Sequence, residues 1–290
     1  MASFTPRRGG FDAAGHRGFL SSFGRGQSGD ENYFQDEGRL CGADRGYGAA
    51  LDGWRDWRFQ GGRAEVEMVY IEARSAIAAL VAKEVDAVEI SAPGMIPAAL
   101  AGGDVTMIAG LLNKMIFSFH AQKEIKSAEQ LRGKVIGTDR VGTASDYGGR
   151  VALTLMGLKP ESDVQPLRLG GSAILWPALQ AGQIMAAPLT PPQSFRADAL
   201  GYTRLVNTYE LPYQNIGVVV RKSDVEPRAE IWGKFLRAFK EGIHRWYDDP
   251  KLAKEVLMKY TREKEPEMLQ KTYDFFSKQA GFNRELTLTD

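Results

Sequence analysis

From Val66 onward, hydrophobic and polar positions fall into a pattern that occurs twice. VEMVYIEARSAIAALVAKEVDAVEISAP (66–93) and VQPLRLGGSAILWPALQAGQIMAAPLTPP (164–192) each read as strand, helix, strand and a loop carrying a hydroxyl and prolines. Both contain Ser-Ala-Ile, at 75–77 and 172–174, followed by Ala-Leu. From there Ala82, Val85, Ala87, Ser91 and Pro93 match Ala181, Ile184, Ala186, Thr190 and Pro192. A further helix and an apolar strand follow each copy, DVTMIAGLL in the first and TRLVNTY in the second. One α/β unit used twice predicts two similar lobes, although Ala- and Leu-rich α/β text also matches itself easily.

The second copy has a prefix. Ser127 opens SAEQ, a capping-box pattern with Gln130 at the third helical position, and Gly133 closes that short helix ahead of the strand KVIGT. The loop DRVGTASDYGG follows, then a helix from about Ser145 to Met156 stopped by Gly157. The corresponding strand, loop and helix of the first copy belong before Val66. After Asn215 come the strand IGVVVR and two amphipathic helices, AEIWGKFLRAFKEGIHRWY, with Ile231, Phe235, Leu236, Phe239 and Ile243 on one face, and PEMLQKTYDFFSKQ. These stripes are expected to cover a sheet.

Composition changes the picture at Ala64. Residues 1–64 contain no Val, Ile or Lys but 14 Gly and 9 Arg, whereas all 15 Lys lie beyond them. Chain this poor in β-branched residues and rich in Gly is expected to be largely unstructured, so the first strand of the first lobe is expected to be missing. Two origins suit the segment: a natural low-complexity extension, or coding sequence read out of frame. Arg7-Arg8 resembles a twin-arginine start, but GGFDAAGHRG stands where an apolar region should follow, so no export signal is visible.

Charge and chemistry then narrow the function. Net charge is +1, which gives no field to steer the chain toward nucleic acid or an anionic membrane. Cys41 is the only cysteine, and His16, His120 and His244 are widely spaced, so no metal cluster is drawn. GRGQSG at 24–29 matches G-x-G-x-x-G without a strand before it or a helix after it. Gly137 to Gly142 has Walker spacing but continues Thr143-Ala144 in place of Lys and Ser/Thr. With no catalytic constellation and no cofactor motif, the expectation is a binding protein, not an enzyme.

The binding element is the loop itself. A strand running into Gly142, Thr143, Ala144 and Ser145 and then a helix aims backbone N–H groups and two hydroxyls at one point, which suits a carboxylate, sulfonate or phosphate. The dipole contributes roughly 0.3–1 kcal/mol at an exposed helix end, so a second surface is needed. Ser91 and Thr190, at equivalent strand ends, supply candidates. The alternative is that Thr143 or Ser145 merely caps its own helix.

VDAVEISAPGMIPAALAGG, EIKSAEQLRGKVIGTDRVGTASDY, ALQAGQIMAAPLTPP and LPYQNIGVVVRKS together resemble the nitrate/sulfonate/taurine and thiamine-pyrimidine (NMT-like) solute-binding proteins of ABC transporters, over Glu65 to Asp290. The resemblance implies a type II periplasmic-binding-protein-like fold: two similar lobes, each a mixed sheet flanked by helices, joined by two crossover segments near Phe117–Ala121 and Tyr213–Val219. The lobes would be 65–117 with 216–290, and 118–215, after an aberrant segment 1–64. It implies ligand contacts at Ser91, Ala92, Thr143, Ala144, Ser145, Leu189, Thr190, Gln214 and Asn215. It also implies a small anionic or heteroaromatic solute, of the sulfonate, nitrate, taurine or pyrimidine-precursor class, bound between the lobes, with permease and ATPase partners, a monomer and a periplasmic location. The family's first strand and ligand loop have no visible counterpart before Glu65, and relatives continue beyond the position of Asp290 into another helix.

Two other classes share this architecture. Pyrimidine-precursor synthases resemble the chain but carry a cysteine-rich iron motif, for which Cys41 alone is insufficient. Effector domains of LysR-type regulators would need a DNA-reading helix pair, of which residues 1–64 show no pattern.

Overall fold

The computed structural model describes residues 37–42, 65–71 and 73–289. They form two lobes, each built on one five-stranded mixed sheet flanked by helices. The first sheet contains β1 (Glu37–Gly42), β2 (Glu65–Tyr70), β3 (Ala87–Ile90), β4 (Thr106–Lys114) and β10 (Pro212–Val220), in the order β2-β1-β3-β10-β4. The second contains β5 (Ser118–Ala121), β6 (Val135–Thr138), β7 (Gln165–Arg168), β8 (Ala186–Leu189) and β9 (Thr203–Asn207), in the order β7-β6-β8-β5-β9. In each, three strands run parallel, and the fourth in order is antiparallel to both its neighbours.

The repeat read from the sequence is present element by element. β2, helix α1 (Ala73–Val81), β3, helix α2 (Ala92–Leu100) and β4 are matched by β7, α4 (Ser172–Gln180), β8, α5 (Gln193–Ala199) and β9. Correspondence reaches single hydrogen bonds. After α1, Lys83 N donates to Leu80 O and Glu84 N to Ala79 O; after α4, Gly182 N donates to Leu179 O and Gln183 N to Ala178 O. Both turns need a left-handed residue, supplied by Gly182 at φ +70 and by Lys83 at φ +63.

Two expectations are corrected. The first strand of the first lobe is not missing: EGRLCG forms β1, paired parallel with β2 over Glu37↔Glu65 to Gly42↔Tyr70 and with β3 over Leu40↔Ala87 to Gly42↔Glu89. Strand preference depends on context, and a backbone paired on both edges supplies what β-branched side chains would have added. The rest of segment 1–64, with Arg7-Arg8, His16 and GRGQSG, lies outside the described residues.

The crossovers are also displaced. The chain leaves the first sheet after Lys114 and enters the second at Ser118, and returns between Asn207 and Pro212, so Ser118–Ala121 and Tyr213–Val219 are already strand. Crossing is done by two short segments bonded to each other: Met115 N donates to Leu211 O, and Thr208 N and Oγ1 both donate to Phe117 O. Met115, Ile116 and Phe117 are buried, so the crossing runs through core and needs few residues.

The capping box is formed at the 3₁₀ turn Ala128–Leu131, where Gln130 Oε1 accepts from Ser127 N at 3.1 Å. Helices α6 (Ala229–Asp248), α7 (Pro250–Thr261) and α8 (Pro266–Asp274) close the chain with a π turn at Phe275–Gln279. The stripe α6 buries is Trp232, Phe235, Phe239, Ile243 and Trp246, with Ile231 and Leu236 at its margin. Indole rings extend the apolar face by a turn at each end and rotate it away from Ile231.

Candidate functional site

The site elements stand at the carboxyl ends of the parallel strands, where open α/β sheets place ligands. From β6 the chain runs through Asp139–Thr143 into α3 (Ala144–Leu155). Gly142 takes φ +89, the left-handed turn that brings Thr143 to the N-cap. Thr143 Oγ1 accepts from Asp146 N at 3.1 Å and donates to Arg140 O, while Asp146 Oδ2 accepts from Gly142 N at 3.2 Å and both its oxygens from Arg150 Nε. Thr143 is therefore the cap, and the Gly142 amide is already taken by a carboxylate of the chain itself.

Ser145 behaves differently. It is 6% exposed, and its hydroxyl is buried without a hydrogen-bond partner. Buried polar groups are ordinarily satisfied, so an orphan hydroxyl in the first turn of a helix calls for a partner from outside the chain. Ala144 beside it is buried in the core cluster with Phe117 and Tyr213.

The same turn is pinned to the crossover. A Cβ on Gly148 would overlap the Phe117 ring, so only glycine lets α3 approach so closely. Tyr147 stacks on Tyr213 with ring centroids 5.3 Å apart and planes 8° from parallel. Tyr213 is buried with an unpartnered hydroxyl. Burial, then Tyr147, hold its phenol above the usual range, while the neighbouring Ser91 hydroxyl works the other way. Ser91 is the N-cap residue of α2, yet its side chain makes no cap bond, and Ala92 begins the helix. α2 and α3 lie against each other. Ser91 and Ala92 at the start of α2, and Gly142, Thr143, Ala144 and Ser145 at the start of α3, thus share a neighbour in Tyr213, which lies by Ser91 and stacks on Tyr147.

The remaining predicted residues divide. Asn215 is 1% exposed; its Nδ2 donates to Lys114 O and its Oδ1 is unpartnered, on the same strand, β10, as Tyr213. Gln214 faces the other way. Its Nε2 donates to Asn113 Oδ1 and Ile216 O, and its Oε1 accepts from Thr289 N and Oγ1, so its amide is committed to the C-terminal segment. Leu189 packs in the core with Leu175 and Leu179. Thr190 N and Oγ1 both donate to Ser172 Oγ, tying the end of β8 to the start of α4.

Sequence reasoning passed over Tyr147, Tyr213 and Asp139. All three lay inside quoted stretches; the signal for Tyr213 was strand alternation, which puts 213 and 215 on one face and 214 on the other. Asp139 follows directly on β6, half-buried, with its Oδ1 accepting from Arg140 N at 2.7 Å. Burial pushes its carboxyl above the usual range against the pull of the Arg140 amide and the Thr143 hydroxyl, and Asp146 adds to the push. Among the described residues no group of three or more His, Cys, Asp or Glu could hold a metal ion, and no helix is long and apolar enough to cross a membrane.

Two α/β lobes with this strand order, each a mixed sheet flanked by helices, define a type II periplasmic-binding-protein-like fold. Solved structures with the same fold include the alkanesulfonate-binding protein SsuA from Xanthomonas axonopodis pv. citri bound to MOPS. It is 16% identical, with a TM-score of 0.69 over 82% of this chain and 83% of that one. The periplasmic aliphatic sulphonate binding protein SsuA from Escherichia coli is 17% identical, with a TM-score of 0.66 over 84% and 95%. A Candida albicans gene product with the generic periplasmic binding protein fold is 14% identical, with a TM-score of 0.66 over 88% and 83%. The NMT1/THI5-like family model matches residues 65–253, and the chain belongs to that family. A comparison with curated proteins finds no match.

Proposed function

We propose that this chain is the solute-binding receptor of an ABC importer, holding a small solute between its two lobes. The solute class the family reading supplies is sulfonate, nitrate, taurine or pyrimidine precursor. The observation that carries the proposal is the buried, unpartnered hydroxyl of Ser145 in the first turn of α3, the helix whose Tyr147 stacks on Tyr213 near Ser91. Ser91, Ala92, Ala144, Ser145 and Asn215 form the contact set; Gly142 and Thr143 shape and cap the start of α3, and Leu189, Thr190 and Gln214 hold neighbouring segments in place. Short, mutually bonded crossovers suit a hinge on which the lobes close. A permease and an ATPase would be the partners, the periplasm the location and a monomer the working form.

Binding to the folded state raises stability by RT ln(1 + [L]/Kd). A thermal-shift screen over sulfonates, carboxylates, nitrate and pyrimidines is expected to return at least one compound whose shift grows with concentration and is reduced in Ser145→Ala. A flat response to every compound would remove the receptor reading.

A further inference from the structure

The groups with which the α3 loop would hold an anion are already engaged within the chain. The Gly142 and Asp146 amides are already bonded within the loop, and Asp146 is paired with Arg150. Asp139 then stands at the end of β6 beside Thr143. A Cβ on Gly171, the N-cap of α4, would lie 3.6 Å from Asp139 Oδ2. A carboxylate of the protein itself therefore stands between the starts of α3 and α4, where the open dipole ends would otherwise receive a guest anion. The orphan Ser145 hydroxyl in the same loop points independently to a guest.

We propose that Asp139 is a specificity-determining residue which excludes sulfonate- and nitrate-like anions and selects a solute bearing an amine or amidinium group. The proposal rests on the receptor reading and narrows its solute class. Two like charges at this separation repel, whereas a cationic N–H donor gains a charge-assisted hydrogen bond. Burial leaves the carboxylate under-compensated by its own amide and hydroxyl neighbours, so a donor brought by the guest improves its surroundings.

Benzamidine and benzenesulfonate, equal in ring and opposite in head-group charge, test this by calorimetry and thermal shift on the full chain. The native protein is expected to bind benzamidine and to bind benzenesulfonate at least about tenfold more weakly. Asp139→Asn is expected to shift that ratio toward benzenesulfonate by about tenfold or more. Asp139→Ser, smaller than the native residue, guards against a packing effect and is expected to do the same. If benzenesulfonate binds the native protein, is lost in Ser145→Val and is indifferent to Asp139→Asn, the receptor reading stands and the role of Asp139 is overturned. If neither probe binds any of these proteins, both are overturned.

Discussion

Replacing Ser145 by Ala has opposite consequences for the empty and the occupied protein, and that opposition tests the site. In the empty protein the hydroxyl is buried without a partner, a condition that costs about 1–3 kcal/mol in desolvation. Alanine removes the cost, leaves a void smaller than a methylene and is the better helix former in α3 by roughly half a kcal/mol. The expected gain is about 1 kcal/mol, which for a domain of this size raises the melting temperature by about 2–4 °C. In the occupied protein the same hydroxyl makes a hydrogen bond with a net value of about 0.5–1.5 kcal/mol, so its loss weakens binding by about two- to tenfold. Thermal denaturation with and without the best compound of the screen reads both effects in one experiment. Thr143→Ala is the control, because its hydroxyl caps α3 and its loss should cost about 0.5–2 kcal/mol in either state. If Ser145→Ala lowers the melting temperature of the empty protein while leaving the ligand-induced shift intact, the hydroxyl is structural and the reasoning fails.

Lys83→Gly should stabilise the fold by about 0.5–1 kcal/mol by relieving a left-handed lysine at the position glycine holds in the second copy; a lower denaturant midpoint would contradict it. Gly148→Ala drives a methyl into the Phe117 ring and should cost at least about 1–3 kcal/mol while also weakening ligand binding, because Ser145 moves with the turn; unchanged melting would refute the packing argument. Arg221 is buried and bonds Leu80 O, Val85 O, Asp224 and Asp86, so Arg221→Met leaves buried acceptors unpaired and should cost about 3–5 kcal/mol by chemical denaturation. Asp139 binds its proton more tightly folded than unfolded, so its contribution to stability is lost as pH rises from 3.8 through the folded value. Asp139→Asn should therefore melt with the native protein near pH 3 and above it at pH 7; the reverse order would show that the carboxylate is stabilised where it stands.

Local pattern carried much of this architecture. The doubled strand–helix–strand text became two sheets of one topology, and Ser127, Gln130, Gly133 and Gly157 punctuate the second lobe where their chemistry requires. Half of the candidate site was legible on the same basis, since the strand, Gly142 and the hydroxyls of Thr143 and Ser145 at the start of α3 are neighbours in sequence. Where the reading failed, the deciding contacts were long-range. EGRLCG lacks the composition of a strand and is one because β2 and β3 bond to it on both sides.

The chain alone therefore determined the repeat, the helix starts and the candidate loop, because each follows from side-chain periodicity and capping within a few residues. Tertiary structure decided which of the two hydroxyls at the start of α3 is left free, and that Gln214 turns to the C-terminal segment while Tyr213 and Asn215 on either side of it are buried. It also decided that Asp139 is held between the starts of α3 and α4. Burial and partner geometry belong to residues brought together by the fold, and spacing along the chain carries no record of them.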